Sequence, residues 1–310
     1  MKTLVLDQIH QSALDYGQDK LDIVTWDTTK IEDHYAEAEA VIVRTFKMTP
    51  KVIDQMPNLK IIAKHGVGVD NIDIDYAKSK NIVVTNTPQA NMNSVAELVV
   101  TLALACARKV VDAHNRVLGG IEKNSPLDLQ GMELRGKTLG LIGLGKIGST
   151  VGNIFKNAFD TEVLVFDKFL PKEKCESLGF TYCESLEDLL KSSHIVSISV
   201  PLTPETENMI ARDQLELMRD DAILINTSRG KIINEADLYD HLQAHKMFGA
   251  AIDAFAIEPV AKDNPLLSCQ NFIATPHNGA NTEEALIRMG TGAIDEIVRV
   301  KNGEANLNSL

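Results

Sequence analysis

One stretch of this 310-residue chain strongly limits its fold, because it places a glycine-rich turn between a strand pattern and a helix pattern. The apolar run 139–142 predicts a buried strand, and residues 146–159 predict a helix that follows the turn. Between them, Gly143, Gly145 and Gly148 have the spacing G-x-G-x-x-G. That spacing suits a turn in which the backbone approaches a pyrophosphate and a helix N-terminus offers free N–H groups. Taken alone, it is also compatible with an ordinary glycine-rich turn.

The next predicted strand favours the first of these interpretations. Residues 162–166 form an apolar strand pattern that ends at Asp167, 19 positions after Gly148. An acid at this place accepts hydrogen bonds from the adenosine ribose hydroxyls of a dinucleotide. Asp167 is also compatible with a solvated residue at a strand end, but its spacing and its strand context together favour the cofactor. Because a carboxylate repels a 2′-phosphate, the pattern favours NAD over NADP.

The composition argues against several classes of partner. The chain has a net charge of −12 and no basic stripe, so neither nucleic acid nor an anionic membrane is expected to bind it. Its longest apolar stretch, residues 98–107, is too short to cross a bilayer, and the N-terminus lacks the pattern of a signal peptide. The four cysteines show no C-x-x-C pairing, which predicts reduced thiols in a cytoplasmic protein. No metal site is predicted.

Strand and helix patterns alternate along most of the chain, which predicts parallel sheets with crossover helices. The predicted fold class is α/β, with two doubly wound parallel-sheet domains and a cleft between them. Residues 1–98 plus 284–310 lack a fingerprint turn after their first strand and are expected to form a flavodoxin-like substrate-binding domain. Residues 99–283 are expected to form the Rossmann domain that binds NAD.

Local signals predict how the helices next to the domain boundaries begin and end. The capping box Ser94-x-x-Glu97 predicts the start of a buried helix whose polar continuation runs to about residue 118. Residues 119–136, with glycine, proline and mixed charge, are predicted to leave the domain as an arm. Asn281 is predicted to cap the last helix, whose apolar stripe can pack back on the first sheet.

In the first domain, one loop and two predicted strand ends contain residues that suit an anionic ligand. Gly66 and Gly68 permit exposed backbone N–H groups that can hold a carboxylate, although the pattern taken alone is more typical of a tight turn that needs a positive φ. Arg44 and Lys64 lie at predicted strand ends, on the edge where ligands of such sheets bind. Each of these two side chains is also compatible with a solvated charge.

Several motifs at predicted strand ends follow one another in an order that covers nearly all of the chain. They are Gly143-Leu144-Gly145-Lys146-Ile147-Gly148, Asp167, Asn226-Thr227-Ser228-Arg229-Gly230, Asp253 with Glu258-Pro259, and Thr275-Pro276-His277-Asn278-Gly279-Ala280. Jointly they resemble the D-isomer-specific 2-hydroxyacid dehydrogenases. Earlier motifs look most like the phosphoglycerate dehydrogenase branch of that family. These are Val43-Arg44-Thr45, His65-Gly66-Val67-Gly68-Val69-Asp70-Asn71 and Asn86-Thr87-Pro88.

The resemblance implies an NAD-dependent oxidoreductase that interconverts a D-2-hydroxy acid and its 2-keto acid. His277 would give a proton to the keto oxygen, while Glu258 would hydrogen-bond the other ring nitrogen and orient the ring. Arg229 would bind the substrate carboxylate and polarise the carbonyl. Asp253 would position the nicotinamide carboxamide. The other expected cofactor contacts, besides the glycines and Asp167, are Thr87, Lys146, Ile147, Val200, Pro201, Thr206, Thr227, Ser228 and Gly279. The expected substrate contacts are Arg44, Lys64, Val67, Gly68 and Arg229.

Several functions remain open within this resemblance. The phosphoglycerate branch implies 3-phosphoglycerate and 3-phosphohydroxypyruvate as substrates. However, Lys64 stands where enzymes of that branch often carry arginine, and a lysine cannot bind a phosphate in the bidentate way that an arginine can. The alternatives are a hydroxypyruvate or glyoxylate reductase and a D-lactate dehydrogenase. An NAD(H)-sensing, corepressor-like protein is an alternative of another class, although the complete set of Arg229, Glu258 and His277 favours an enzyme. A homodimer is expected from the family, and a C-terminal regulatory domain is not expected.

Overall fold

The computed structural model describes residues 1–120 and 129–310, and the chain divides into two compact units. Unit 1 comprises Met1–Ser94 and Ala280–Leu310, and unit 2 comprises Val95–Gly279. Each unit is built on a parallel sheet, which confirms the predicted α/β fold class. The predicted arm over residues 119–136 lies partly outside the described residues.

Both sheets consist of short strands whose neighbours all run parallel. The strands of unit 1 are β1 (Lys2–Val5), β2 (Asp22–Thr25), β3 (Ala40–Val43), β4 (Ile61–Lys64) and β5 (Val83–Thr85). Those of unit 2 are β6 (Thr138–Ile142), β7 (Glu162–Phe166), β8 (Thr181–Tyr182), β9 (Ile195–Ile198), β10 (Ile223–Asn226), β11 (Gly249–Ile252) and β12 (Phe272–Ala274). The strand orders are β2-β1-β3-β4-β5 and β12-β11-β10-β9-β6-β7-β8.

Helices alternate with these strands along the chain, as crossover connections between parallel strands require. They are α1 (Gln11–Gln18), α2 (Pro50–Ile53), α3 (Ile74–Ser79), α4 (Met92–Ala107), α5 (Val110–Leu118), α6 (Lys146–Phe159), α7 (Lys172–Ser177), α8 (Leu186–Ser192), α9 (Arg212–Leu215), α10 (Glu235–Gln243) and α11 (Glu283–Asn302). Two short 3₁₀ helices cover Ile31–Glu37 and Pro265–Ser268. Within residues 1–120 and 129–310, none of the helices has the length and apolar character needed to span a membrane.

Each sheet reverses its winding direction at one pair of adjacent strands. This pair is β1 and β3 in unit 1, and β6 and β9 in unit 2. Loops that follow such a pair leave the sheet toward opposite sides, so a crevice opens at the carboxyl ends of the two strands. Ligand sites are therefore expected after β1 and β3 and after β6 and β9.

Both faces of each sheet are buried, as is usual for parallel sheets. In β10, Ile223 and Ile225 pack in one apolar cluster, whereas Leu224 packs in another. In β3, Val41 and Ile42 are divided between two clusters in the same way. This division follows from the two-residue period of a strand, and it explains why the strands are continuous apolar runs in the sequence.

Two predicted helix caps are wrong. Helix α4 begins two residues before Ser94, so Ser94 does not cap it. The Ser94 hydroxyl is instead hydrogen-bonded to the hydroxyl of Thr282 at 2.8 Å. Thr282, rather than Asn281, caps α11: its backbone is extended, and its side-chain oxygen accepts from the N–H of Ala285 at 3.2 Å. That geometry is what an N-cap needs.

The predicted single helix up to residue 118 is also wrong, because it is interrupted at Lys109, which has a left-handed φ of 49°. A neighbouring piece of chain accounts for the break. The N–H of Met132 donates to the carbonyl oxygen of Ala107 at 2.9 Å. In a continuous helix that carbonyl would accept from the N–H of Val111. Gly131 permits the approach, since a Cβ there would lie 2.5 Å from the same oxygen.

Candidate active site

The glycine-rich turn lies between β6 and α6, at the switch point of unit 2. Gly143 has a φ of +92°, and a Cβ there would meet Val200 and the carbonyl oxygen of Ser199, both after β9. A Cβ at Gly148 would meet the carbonyl oxygen of Gly143, so this glycine allows α6 to pack closely on the turn. At Gly145, the N-cap of α6, a Cβ would project into open space. That space, in front of a helix N-terminus, fits a pyrophosphate group.

Asp167 ties this turn to the loop that follows β7. Its Oδ2 accepts a hydrogen bond from the N–H of Leu144, inside the turn, at 2.8 Å. Its Oδ1 accepts from the N–H groups of Phe169 and Leu170 at 2.9 and 3.0 Å. The carboxylate therefore shapes the edge at which a ribose is expected to bind, and its contact with the ribose stays a prediction.

The predicted cofactor residues of unit 2 lie at the carboxyl ends of its strands. Thr206 belongs to the loop after β9, where its hydroxyl donates to the carbonyl oxygen of Pro201 at 2.7 Å and accepts from the N–H of Thr203 at 2.8 Å. Their roles as cofactor contacts stay predictions. The set, in chain order, is Gly143, Gly145, Lys146, Ile147, Gly148, Asp167, Val200, Pro201, Thr206, Thr227, Ser228, Asp253 and Gly279.

A buried asparagine shapes the loop that carries Arg229. The Oδ1 of Asn226 accepts from the N–H and the hydroxyl of Ser228 at 3.0 and 2.6 Å, and its Nδ2 donates to the carbonyl oxygen of Arg229 at 2.8 Å. The guanidinium of Arg229 donates from Nη1 to the carbonyl oxygen of Ser228 at 2.7 Å. Asn226 is not among the predicted site residues. The sequence does contain a signal that could have identified it, because it is a polar residue at the end of an apolar strand.

The loop after β11 packs directly on the loop after β10. A Cβ at Gly230 would meet the carbonyl oxygen of Phe255, so only glycine permits this approach. Glu235, at the start of α10, accepts a hydrogen bond from the N–H of Ala256 at 2.6 Å. These contacts hold the two loops together. Glu235 is not among the predicted site residues either, because an acid in the first turn of a helix is common for other reasons.

His277 and Glu258 form a hydrogen-bonded pair. The His277 Nδ1 lies 3.0 and 2.9 Å from the two carboxylate oxygens of Glu258, and Glu258 Oε1 also accepts from the N–H of Phe255 at 3.0 Å. Burial acts to raise the pKa of Glu258, but the hydrogen bond and charge of His277, the Phe255 N–H and the charge of Arg229 together lower it below its ordinary 4.5. Glu258 is therefore ionised at neutral pH. It holds the ring through Nδ1, so the other ring nitrogen, Nε2, is the one that can serve a substrate.

Asp253 fixes the loop that carries His277. His277 has a φ of 52°, in the left-handed region that few residues other than glycine adopt. The carbonyl oxygen of Asp253 accepts from the N–H of His277 at 2.8 Å. Its carboxylate accepts from the Thr275 hydroxyl and from the N–H groups of Asn278 and Gly279 at 2.6, 2.6 and 2.9 Å. A carboxylate has about four acceptor positions, so these bonds are compatible with one contact to a carboxamide.

The first predicted substrate residue, Arg44, lies in the loop after β3. The carboxylate of Asp7, after β1, holds this loop by accepting from the N–H groups of Arg44, Thr45 and Phe46 at 2.7, 3.1 and 3.0 Å. Burial acts to raise the pKa of Asp7, but the hydroxyl of Thr45 and these N–H groups lower it below 3.8. Asp7 is not among the predicted site residues, although an acid at the end of an apolar strand is a recognisable signal.

Lys64, another predicted substrate residue, is buried at the end of β4. Its Nζ donates to the carbonyl oxygen of Arg44 and to Oδ1 of Asn71, both at 2.5 Å. Asn71 in turn donates to the carbonyl oxygen of Phe46 at 2.6 Å. The ammonium therefore joins the loops after β3 and β4. Direct contact of Lys64 with a substrate stays a prediction.

The loop after β4 presents two adjacent N–H groups, those of Val67 and Gly68. Within the described residues neither N–H has an acceptor, and both residues are partly exposed. The loop after β5 holds this backbone from the other side. Thr87 donates from its N–H to the Gly66 carbonyl oxygen at 2.9 Å, and Asn86 Nδ2 donates to the Val67 carbonyl oxygen at 2.8 Å. Adjacent N–H groups of this kind suit a carboxylate. Contact of Thr87 with the cofactor stays a prediction.

The fold and the glycine turn define a protein with an α/β dinucleotide-binding domain. A family model agrees: residues 100–279 match the NAD-binding domain of the D-isomer specific 2-hydroxyacid dehydrogenases. The chain belongs to this family, which confirms the resemblance found in its sequence.

The relatives that the chain matches are named for different substrates. D-3-phosphoglycerate dehydrogenase of Methanocaldococcus jannaschii is 41% identical over 308 residues, which are 98% of this chain and 58% of that protein. Hydroxypyruvate reductase of Thermotoga maritima is 41% identical over 266 residues, 85% of each chain. The crystal structure of D-lactate dehydrogenase from Aquifex aeolicus, complexed with NAD and lactic acid, superposes with a TM-score of 0.84 at 31% identity and covers 98% of this chain and 96% of that one. The chain thus spans 58% of the length of two phosphoglycerate dehydrogenases that it matches.

Proposed function

We propose that this chain is an NAD-dependent oxidoreductase that interconverts a D-2-hydroxy acid and its 2-keto acid. The observation that supports this most strongly is the pairing of His277 with Glu258. The pair lies at the carboxyl ends of the strands of unit 2, on the edge that also carries the glycine turn and Arg229. A proton donor, a cation for the carboxylate and a dinucleotide turn are the groups that keto-acid reduction needs.

Each of these side chains has one task in the proposed reaction. Bound NADH supplies the hydride that reaches C2 of the keto acid. Arg229 binds the substrate carboxylate and polarises the carbonyl, since its planar fork suits both tasks. His277 donates the proton on Nε2 to the carbonyl oxygen and takes it back in the oxidation of the hydroxy acid. Glu258 keeps the ring oriented through Nδ1.

The proposed substrate of first choice is 3-phosphohydroxypyruvate, with 3-phosphoglycerate in the reverse direction. Arg44 supports it, because Asp7 fixes the backbone of that loop and the guanidinium can bind a phosphate. The contacts of Lys64 favour a second candidate. Its ammonium already meets two oxygens of unit 1, which suits a smaller, unphosphorylated acid such as hydroxypyruvate, glyoxylate or pyruvate.

A substrate panel distinguishes these candidates through initial rates of NADH oxidation, followed by absorbance. If 3-phosphohydroxypyruvate is the substrate, its kcat/KM should exceed that of pyruvate by at least about tenfold, because an added charged hydrogen bond contributes about 1.5–3 kcal/mol. Reduction of 3-phosphohydroxypyruvate no faster than pyruvate would rule that assignment out. The same panel with NADPH should give lower rates, because of the Asp167 carboxylate. NADH binding with no turnover on any acid would favour the nucleotide-sensing alternative.

We also propose a cytoplasmic homodimer that forms through unit 2. The four free cysteines suit a reducing compartment. Helix α5 has no buried residue. Leu104 on α4 is 38% exposed, so one side of α4 is also open, contrary to the prediction of a buried helix. A groove of about 670 Å³ lies beside these helices. Exposed apolar patches of this kind are typical of interfaces. The exposed large apolar side chains of α5 are Val110, Val111, Val117 and Leu118.

Sedimentation equilibrium tests the dimer. Wild-type protein should have twice the mass of the 34.0 kDa chain. Val117→Asp together with Leu118→Asp should give the monomer mass, because two charges are then placed in an apolar interface. Leu307→Asp is the control, since Leu307 is 71% exposed like these residues but belongs to unit 1. A monomeric wild type would contradict the proposal.

A further inference from the structure

The residues that follow α11 fold back along the sheet of unit 1. We call residues 304–310 the return segment. Ser309 forms an antiparallel bridge with Thr85, and the N–H of Leu310 donates to the carbonyl oxygen of Val84 at 3.0 Å. The return segment therefore pairs with the edge of β5.

A buried carboxylate anchors the return segment. Glu296 of α11 is 2% exposed. Its Oε1 accepts from Nδ2 of Asn308 at 2.7 Å, and its Oε2 accepts from Nδ2 of Asn306 at 2.8 Å and from the N–H of Leu307 at 3.2 Å. A carboxylate is strongly unfavourable in the interior unless hydrogen bonds compensate it. Because the return segment supplies these bonds, Glu296 holds the segment in one position.

Through Asn86, the anchored segment reaches the loop after β4, which presents the N–H groups of Val67 and Gly68. The N–H of Asn86 donates to the carbonyl oxygen of Asn308 at 3.3 Å, and the Asn86 side chain donates from Nδ2 to the carbonyl oxygen of Val67 at 2.8 Å. A continuous path of hydrogen bonds thus runs from Glu296 through Asn308 and Asn86 to Val67.

The last bond of this path sets the direction of an N–H group. The carbonyl of Val67 and the N–H of Gly68 belong to one planar peptide unit and point in opposite directions. A donor that fixes the Val67 oxygen therefore also aims the Gly68 N–H. Without that donor the glycine permits the peptide to rotate. The bond from the Thr87 N–H to the Gly66 carbonyl oxygen aims the N–H of Val67 in the same way.

We propose that Glu296, Asn308 and Asn86 are positioning residues for the carboxylate of the substrate. The inference rests on the proposed function and adds to it that the N–H groups of Val67 and Gly68 bind the substrate carboxylate. The three residues act through the backbone of the loop and do not touch the reacting atoms. Their loss should therefore weaken substrate binding more than it slows the chemical step.

Single-residue variants of the full chain test this proposal. Asn86→Ala should raise KM for the best 2-keto acid of the panel about tenfold, and Asn308→Ala should raise it about threefold, with kcat and the Kd for NADH changed less than twofold. Asn58→Ala is the control, because its Nδ2 donates to the carbonyl oxygen of Ala36, also at 2.8 Å and also in unit 1. An unchanged KM in Asn86→Ala, or an equal rise in Asn58→Ala, would overturn the proposal.

A second readout separates this proposal from the proposed function. The ¹⁵N order parameter of the Gly68 N–H, measured by NMR without substrate, should fall from about 0.85 toward about 0.6 in Asn86→Ala and Asn308→Ala. It should stay unchanged in Asn58→Ala. If wild-type protein reduces no 2-keto acid, the proposed function fails, and the order parameters still decide whether the path aims the loop. Equal order parameters in all variants would disprove the path itself.

Discussion

Replacing His277 by alanine is expected to lower kcat for keto-acid reduction by at least about 100-fold, while the Kd for NADH stays nearly unchanged. The variant lacks the group that donates a proton from Nε2. The glycine turn at Gly145, which is expected to bind the pyrophosphate, belongs to a different loop and keeps its contacts. Steady-state rates give kcat, and quenching or enhancement of NADH fluorescence gives the Kd.

A second substitution separates chemistry from folding. Because the backbone of His277 is left-handed, alanine is strained there, whereas asparagine tolerates this conformation. We expect His277→Asn to unfold at nearly the wild-type temperature and to lose as much activity as His277→Ala. His34→Ala, in unit 1, should retain full activity. An unchanged rate in His277→Asn would remove histidine from the mechanism.

Replacing Arg229 by alanine is expected to lower kcat/KM by about 1,000-fold, and replacing it by lysine by about 100-fold. The guanidinium is proposed to bind the carboxylate and to stabilise charge on the carbonyl oxygen, and its planar fork lets it do both. The ammonium of a lysine has no such fork. The loop should survive either change, because Asn226 and the close packing at Gly230 hold its backbone. Initial rates over a range of keto-acid concentrations measure the effect.

The matched control for Arg229 is another arginine of unit 2. Arg212 makes exposed ion pairs with Asp237 and Asp240 at 3.3 and 2.8 Å, and it is not among the predicted site residues. Exposed ion pairs contribute little to the stability of a protein, so Arg212→Ala should change kcat/KM less than about twofold. Activity of Arg229→Ala within tenfold of the wild type would show that the guanidinium does not act on the substrate.

The fold and the position of the main candidate residues at the strand ends were predictable because their signals are local. Apolar strand runs, helix periods and the glycine spacing each lie within a few neighbouring residues. Asp167, Arg229 and His277 follow such strand runs, and a parallel sheet brings strand ends to one edge. The position of each residue along the chain was therefore enough to place it at the edge where ligands bind.

The remaining features depend on contacts between distant parts of the chain. The break at Lys109 arises because Met132 takes the carbonyl of Ala107, and no local pattern marks it. Lys64 looks like a charge at a strand end, yet its ammonium is engaged by oxygens from two other loops. Glu296 looks like a surface acid on an amphipathic helix, but the return segment covers it. Periodicity predicts which face a residue is on, but not which distant segment packs over it.

The central claim is that this chain transfers a hydride and a proton to a 2-keto acid, with His277 as the proton donor. Product analysis after a single turnover, with protein in excess over NADH and the keto acid, tests it most directly. We predict one molecule of the D-2-hydroxy acid, identified by chiral chromatography, for each NADH oxidised by wild-type protein, and almost none with His277→Asn on the same timescale. Bound NADH that stays unoxidised, or formation of the L-isomer, would contradict the claim.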